Sequence, residues 1–376
     1  MNDGSLYDVA IAGGGLAGLC AAILLSRKGY RVILFEKEKY PFHKVCGEYI
    51  SLESRDLLIS LGLPIDDWNL PVVTQLSLTS PDGNELNQRL PLGGFGISRF
   101  KIDEELKNIA LLNNVAIHED TRVQEIVYSN NMFSVHTDKG SWKSKVCCSA
   151  AGKRSNLDVK WKRNFVIHKP NMLNNFIAVK YHAILEYPRT LISLHNFKNG
   201  YCGISPVEDN KTCICYLTTA SNLRANNNDI RQMEEKVLFR NAFLKEAFEN
   251  SAMIYSKPLT ISQISFEKKE QVLDHVLMLG DSAGMITPLC GNGMSMALFS
   301  SKMAAGFIEQ FLSGKINRSE MESSYSEEWR KIFGRRLFAG RVIQSLFGKE
   351  WITNKTVSIL KYFPRLVTGI IRQTHG

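Results

Sequence analysis

The sequence predicts an α/β chain, α+β overall, in which a parallel-sheet nucleotide domain carries an inserted antiparallel sheet and ends in a helical C-terminus. Three observations predict it. An apolar run, Tyr7 to Ala12, passes through a glycine-rich turn into a helical stretch and a second apolar run, the order of a Rossmann-type unit. A further buried-type strand, Val276 to Leu279, lies far downstream. Between them, within about 161–269, four strand-like runs follow one another without intervening helices, as in an antiparallel sheet.

In chain order, Tyr7 to Ala12 (YDVAIA) is nearly all apolar, as a strand buried on both faces requires. Gly13-Gly14-Gly15-Leu16-Ala17-Gly18 follows, then a helix over Leu19 to Lys28 stopped by Gly29, then the strand Tyr30 to Phe35, which ends in Glu36. Glu36 stands 18 residues beyond Gly18, close to the spacing of the acid in a dinucleotide fingerprint. Gly13 permits the tight turn, Gly15 lets the backbone approach a pyrophosphate, and Gly18 lets helix and strand pack closely. Leu16 and Ala17 open a helix whose free amides and dipole attract phosphate. Glu36 can accept hydrogen bonds from both ribose hydroxyls, and Lys37 and Lys44 are counted with the same cofactor site.

Val72 to Ser80 and Glu85 to Leu90 flank Pro81-Asp82-Gly83-Asn84, a hairpin by its turn chemistry. Gly96 to Asp103 leads into a helix over Glu104 to Leu112, with Asp103 as its expected cap and Arg99 as a cofactor clamp. The larger insert offers strands at Asn175–Ala183, Leu191–Phe197, Gly200–Pro206 and Thr212–Thr218, then one helix over Ile230 to Phe248. Such a sheet roofs the nucleotide domain and shapes a substrate cavity. Val276 to Leu279 ends in Gly280-Asp281, a carboxylate placed for a polyol hydroxyl. Pro288 to Gly293 then opens a helix from Met294 to about Leu312. Its positive end favours the charge that develops on a reduced flavin. These last two features select FAD over NAD as the expected cofactor.

The Gly13–Gly18 fingerprint with Glu36, the Arg99…Asp103 pattern, and Gly280-Asp281 followed by Pro288…Gly291-x-Gly293 together resemble the p-hydroxybenzoate-hydroxylase-like FAD-dependent oxidoreductases, over about residues 5–315. Within them, Lys44-Val45-Cys46-Gly47-Glu48 looks like the Lys-x-Cys-Gly-Glu segment of the geranylgeranyl-reductase-like branch. Ser282-Ala283-Gly284 favours that branch too, because aromatic hydroxylases usually carry Ala-His there. The resemblance implies that Glu36 binds the adenosine ribose, and that Arg99 and Asp281 meet the pyrophosphate and ribityl region. Gly291, Asn292, Gly293 and Met294 would lie beside the isoalloxazine. One departure is Ala151, in Ala150-Ala151-Gly152-Lys153-Arg154-Ser155, where the family commonly has the acid of an Asp-Gly motif. That segment contacts NAD(P)H in the hydroxylases, so NAD(P)H enters here only as an external electron donor.

The same resemblance places Cys46 near the flavin ring and makes Cys46 and Glu48 the catalytic candidates. Nearby Lys44 would make the thiol reactive, against a plainer reading as a small packing side chain. Glu48 and His43 read either as proton donors or as structural hydrogen-bonding groups. The lead function is hydride transfer to or from a carbon–carbon bond of a bulky apolar substrate, isoprenoid-, polyketide- or phenolic-lipid-like. The alternatives are a monooxygenase hydroxylating an aromatic or phenolic substrate, and a flavin-binding electron carrier without substrate turnover. A halogenase ranks lower, since no Trp-x-Trp-x-Ile-Pro run occurs.

At 376 residues, 44% hydrophobic and 22% charged, the chain has material for two domains of ordinary globular kind. The motifs divide it into a discontinuous FAD-binding domain (1–70, 93–160 and 270–320), a substrate domain (71–92 and 161–269) and a basic helical segment (321–376). None of the eight cysteines forms a Cys-x-x-Cys pair, so no metal site is expected, and the cytoplasm suits them. Met1 to Tyr7 is polar and unlike a secretion signal.

The net charge of +9 is local: residues 331–376 hold nine Lys/Arg against the single acid Glu350. A near-neutral body argues against nucleic acid as a partner. The tail predicts helices over Glu327–Leu346 and Lys355–Arg372, with Phe338, Val342 and Leu346 on one stripe and Arg335, Arg336 and Arg341 elsewhere. Two readings follow: helices packed on the body with a solvated basic face, or peripheral contact with an anionic membrane surface. No apolar run reaches spanning length.

Overall fold

Strands that bury both faces need a covering layer on each side. The computed structural model describes residues 6–169, 171, 173–346 and 349–375. Five parallel strands form the centre of the first sheet, in the order Val276–Met278, Gly140–Ser149, Leu6–Ala12, Val32–Phe35 and Ala116–His118. Every residue of Val32–Phe35 and of Val276–Met278 is buried. Val272–Leu273 adds an antiparallel edge, and the hairpin Val123–Ser129 with Met132–Thr137 leans on Gly140–Ser149. The polar start of the chain, Met1 to Ser5, lies outside the described residues.

Helix Leu16–Ser26 covers this sheet together with Arg99–Leu112 and Gly293–Leu312. It begins at Leu16 rather than Leu19, so Gly18 sits in its first turn. A Cβ at Gly18 would stand 1.9 Å from the Gly13 carbonyl oxygen, which is why only glycine lets the helix approach the turn. Helix Arg99–Leu112 also starts early. Ser98 caps it by accepting from the Lys101 amide at 3.2 Å. Asp103, the expected cap, is instead buried one turn inside.

The hairpin and the larger insert share a second sheet, ordered Ala252–Met253, Phe176–Ile184, Thr212–Thr219, Gly200–Pro206, Leu191–Phe197, Val72–Thr79, Glu85–Gly96 and Tyr49–Ser51. Leu259–Ile264 pairs with Phe176–Ile184 beside this path. All pairings are antiparallel except Leu191–Phe197 with Val72–Thr79. Tyr49–Ser51 belongs to the first stretch of sequence yet ends this sheet. The helix expected over Ile230 to Phe248 is two, Ile230–Val237 and Ala242–Glu249, because Asn241 caps the second by accepting from the Phe243 amide at 3.1 Å.

The C-terminal segment packs on both sheets. From Arg318–Leu346, Met321, Tyr325, Trp329 and Phe333 enter the first core at helical spacing. The expected helix Lys355–Arg372 is also two, Glu350–Leu360 and Pro364–His375, since proline is tolerated only in a first turn. Val357, Val367 and Ile371 bury against Leu86 and Leu90 of the second sheet. Phe338 and Val342 of the anticipated apolar stripe are exposed, and the side chain of Leu346 lies outside the described residues. No helix among the described residues is long and apolar enough to cross a membrane.

Candidate active site

The strand ends converge on the Gly13–Gly18 turn. The Gly14 amide donates to Glu36 Oε2 at 2.9 Å and the Glu38 amide to Oε1 at 3.2 Å, while the Tyr40 hydroxyl donates to the Gly14 carbonyl. The buried Glu36 carboxylate is thereby fixed against the turn. Two cations stand over Gly15: a Cβ there would lie 3.3 Å from Arg99 Nη2 and 3.4 Å from Lys44 Nζ. Arg99 grips Asp103 with two parallel bonds, Nε to Oδ1 at 2.9 Å and Nη2 to Oδ2 at 2.7 Å. Burial opposes the Arg99 charge, but Asp103 outweighs it and holds the guanidinium protonated. Lys44 Nζ lies 3.2 Å from Asp103 Oδ2 and 3.7 Å from Glu36 Oε2. A helix N-terminus, a bare Gly15 and two oriented cations fit a pyrophosphate, and Glu36 fits the adjoining ribose. Lys37, at the rim, pairs with Glu38 at 3.7 Å.

One cavity of about 1260 Å³ runs from this turn past Asp281 to the second sheet. A single-ligand pocket typically has about 300–1,000 Å³, so this one has room for a dinucleotide and a second molecule. Asp281 enters it from a tight corner, where a Cβ on Gly280 would lie 3.1 Å from Ala17 Cβ and 3.3 Å from Ala297 Cβ. Buried Lys269 braces the corner, donating to the Asp281 and Lys153 carbonyls at 2.8 and 2.9 Å. Burial lowers its pKa to about 8 against the pull of Asp281. The Gly152 amide donates to Ser282 Oγ at 3.0 Å, so the segment carrying Ala151 stays tied to the corner without an acid. Gly291, with φ +64°, makes the left-handed turn that presents Pro288, Asn292, Gly293 and Met294 to the cavity. This donor set fits FAD along its whole length.

The Lys44–Glu48 segment crosses the middle of the cavity wall. Glu48 is fully buried and ionic: Oε1 accepts from Lys180 Nζ at 2.5 Å and from the Arg99 amide at 2.7 Å, and Oε2 meets His182 Nε2 at 2.5 Å. Burial pushes the Glu48 pKa up, yet the Lys180 charge and the His182 contact outweigh it and bring it to about 2. Through these contacts Glu48 ties the Lys44–Glu48 segment to the second sheet, by way of Lys180 and His182, and to the start of helix Arg99–Leu112. Its neighbour Cys46 faces the cavity half-buried. Cys46 Sγ accepts from the Glu48 amide at 3.5 Å, and its carbonyl accepts from Cys213 Sγ at 3.3 Å. His43 stacks on Phe100 and its Nε2 meets the Tyr255 hydroxyl at 2.7 Å. Burial, then the nearby His182 and Lys180, lower its pKa to about 4, so it stands neutral.

Beyond Cys46 the wall turns apolar, with Ala178, Ile192, Leu194, Leu217, Ile261 and Met285 from the second sheet and its flank. Ser205 Oγ donates to the Gly47 carbonyl at 2.7 Å, locking that sheet to the cysteine segment. Sequence reasoning missed Lys180 and His182, although their spacing of two in a strand places both on one face. Cys213 and Cys215, two apart in the neighbouring strand, sit opposite His182 and Lys180 in register. Tyr40, Lys153 and Lys269 had no signal, because each acts through a contact made only by folding.

Among known proteins, the model for an NAD(P)-binding Rossmann-like domain matches residues 11–45. Conditioned medium factor receptor 1 of Dictyostelium discoideum is 25% identical over 92% of this chain and 71% of that protein. Digeranylgeranylglycerophospholipid reductase of Methanosarcina acetivorans is 21% identical over 91% of this chain and 85% of that one. The solved flavin-dependent brominase Bmp2 has 19% identity and a TM-score of 0.80, covering 98% of this chain and 93% of its own. The resemblance to FAD-dependent oxidoreductases on the geranylgeranyl-reductase-like side is borne out, and with it an FAD-dependent enzyme.

Proposed function

For this FAD-dependent oxidoreductase we propose hydride transfer to a carbon–carbon double bond of a bulky apolar lipid, with NAD(P)H or another two-electron donor as the external reductant. The observation that carries the reading is the single cavity of about 1260 Å³, polar at the dinucleotide end and apolar where the second sheet closes it. The similarity to an archaeal lipid reductase, with the Lys44-Val45-Cys46-Gly47-Glu48 segment in the wall, supports it. FAD, when bound and reduced, supplies a hydride to an acceptor carbon. Glu36, Arg99, Lys44 and Asp281 hold it, and the apolar wall excludes water from the lipid. The second hydrogen arrives as a proton, and the Cys46 thiol is the group set to give it, regaining one from solvent. Glu48 keeps that segment in place through Lys180 and His182.

The test is anaerobic. The FAD-loaded protein, reduced chemically, is mixed with phospholipids bearing unsaturated isoprenoid chains, and the products are weighed by mass spectrometry. Addition of two hydrogens per double bond without oxygen is the expected result. Turnover that needs O₂ and inserts oxygen or halide into a phenolic substrate would establish the oxygenating alternative and refute this one.

A further inference from the structure

The last two helices have an inner and an outer face of opposite character. Inward, Thr353 and Val357 of Glu350–Leu360 and Val367 and Ile371 of Pro364–His375 are buried. Outward, Trp351 and Ile359 are exposed, and the turn between the helices presents Tyr362 and Phe363, followed by Leu366. Trp351 and Tyr362 are 67% and 73% exposed, unusual for side chains of this size in a chain with a well-filled core.

Cations are interleaved with these rings. Lys355 Nζ sits 4.3 Å over the Trp351 ring and Lys361 Nζ 5.2 Å over the Tyr362 ring, with Arg365 next in line. From 349 to 372 the segment holds Lys349, Lys355, Lys361, Arg365 and Arg372 against Glu350 alone. Among the described residues none of these five is ion-paired. Aromatic rings with an apolar body and polar tip, flanked by long cationic stems, suit the boundary of a bilayer. A second copy of the same basic face would be repelled, whereas an anionic surface complements it. The position fits a lipid source as well. Leu360, on the inner side, packs in one cluster with Ile192 and Leu194, which line the cavity.

We propose that the outer face of these two helices docks on an anionic membrane, laying Trp351, Tyr362 and Phe363 into the headgroup boundary next to the apolar wall of the cavity. The docking does not depend on which reaction the cavity performs, because vesicle binding is read without turnover.

The test uses the full FAD-loaded chain, sedimented with vesicles of phosphatidylcholine alone or mixed with phosphatidylglycerol, at low and high salt. Binding to the mixed vesicles at low salt, with little to phosphatidylcholine alone, is expected. Each cation contributes about fivefold near a charged bilayer, so K355Q/K361Q/R365Q should weaken partitioning by about a hundredfold. W351S/F363S should weaken it at unchanged salt dependence. These positions are solvent-facing; circular dichroism and flavin absorbance verify the fold, and K355Q and K361Q singly should each cost about fivefold. Equal binding to both vesicle types, or a charge variant that binds as the parent does, would overturn the proposal. So would a dimer in sedimentation that the same substitutions dissociate while vesicle binding is absent throughout.

Discussion

Replacing Glu48 by glutamine removes one negative charge from a place that water does not reach. Lys180 is 1% exposed and its ammonium lies 2.5 Å from Glu48 Oε1, so the variant leaves a buried cation with a neutral amide for a partner. Depression of the Glu48 pKa from 4.5 to about 2 corresponds to roughly 3 kcal/mol of native-state stabilisation. Breaking one side of a buried pair typically costs about 3–5 kcal/mol, and the two figures agree. The sign follows from a lowered carboxylate pKa. The contribution is complete above the unfolded value near 4.5 and drains away as pH falls toward about 2. Urea unfolding of parent and E48Q across pH 3.5 to 7 is the assay. A gap of about 3 kcal/mol above pH 5, narrowing in acid, is expected. The double variant E48Q/K180M should recover much of the loss, because it removes the stranded charge as well. A gap under about 1 kcal/mol at neutral pH, or one that does not narrow in acid, would refute the reasoning.

Three further changes test the rest of the site. G18A puts a methyl group where 1.9 Å separates it from the Gly13 carbonyl oxygen, so FAD occupancy by absorbance should collapse. D281A should lower FAD occupancy, whereas C46S should spare occupancy and slow turnover; unchanged turnover in C46S would return Cys46 to packing. His43 should stay neutral from pH 8 down to 5, with its ring nitrogens titrating near pH 4 by NMR; a midpoint near the ordinary 6.5 would show that the pocket does not shield it. Between about pH 4 and 6.5 the unfolded chain binds the proton that folded His43 refuses, so His43 favours folding more as pH rises through that range.

The nucleotide end was legible because its determinants are local. Gly13, Gly15 and Gly18 act through backbone shape and Glu36 follows the next strand, so spacing placed these four around one turn, while the family resemblance implied Gly280-Asp281 beside them. Helix ends were less legible. Ser98 rather than Asp103 caps Arg99–Leu112, and both Ile230–Phe248 and Lys355–Arg372 divide in two, because capping by Asn241 and the placement of Pro364 compete with apolar periodicity.

What the sequence by itself determined is therefore the cofactor end, from the glycine turn and Glu36 to Gly280-Asp281 and Gly291-Asn292-Gly293. What only the tertiary structure decided is the protonation of the site. Glu48 reads in the sequence as an acid able to give a proton, and folding makes it an ion by bringing Lys180 and His182, more than 130 residues away, to within 2.5 Å. The turn chemistry of a glycine travels with the residue, whereas the charge state of a carboxyl belongs to its surroundings, and those exist only once the two sheets have closed on each other.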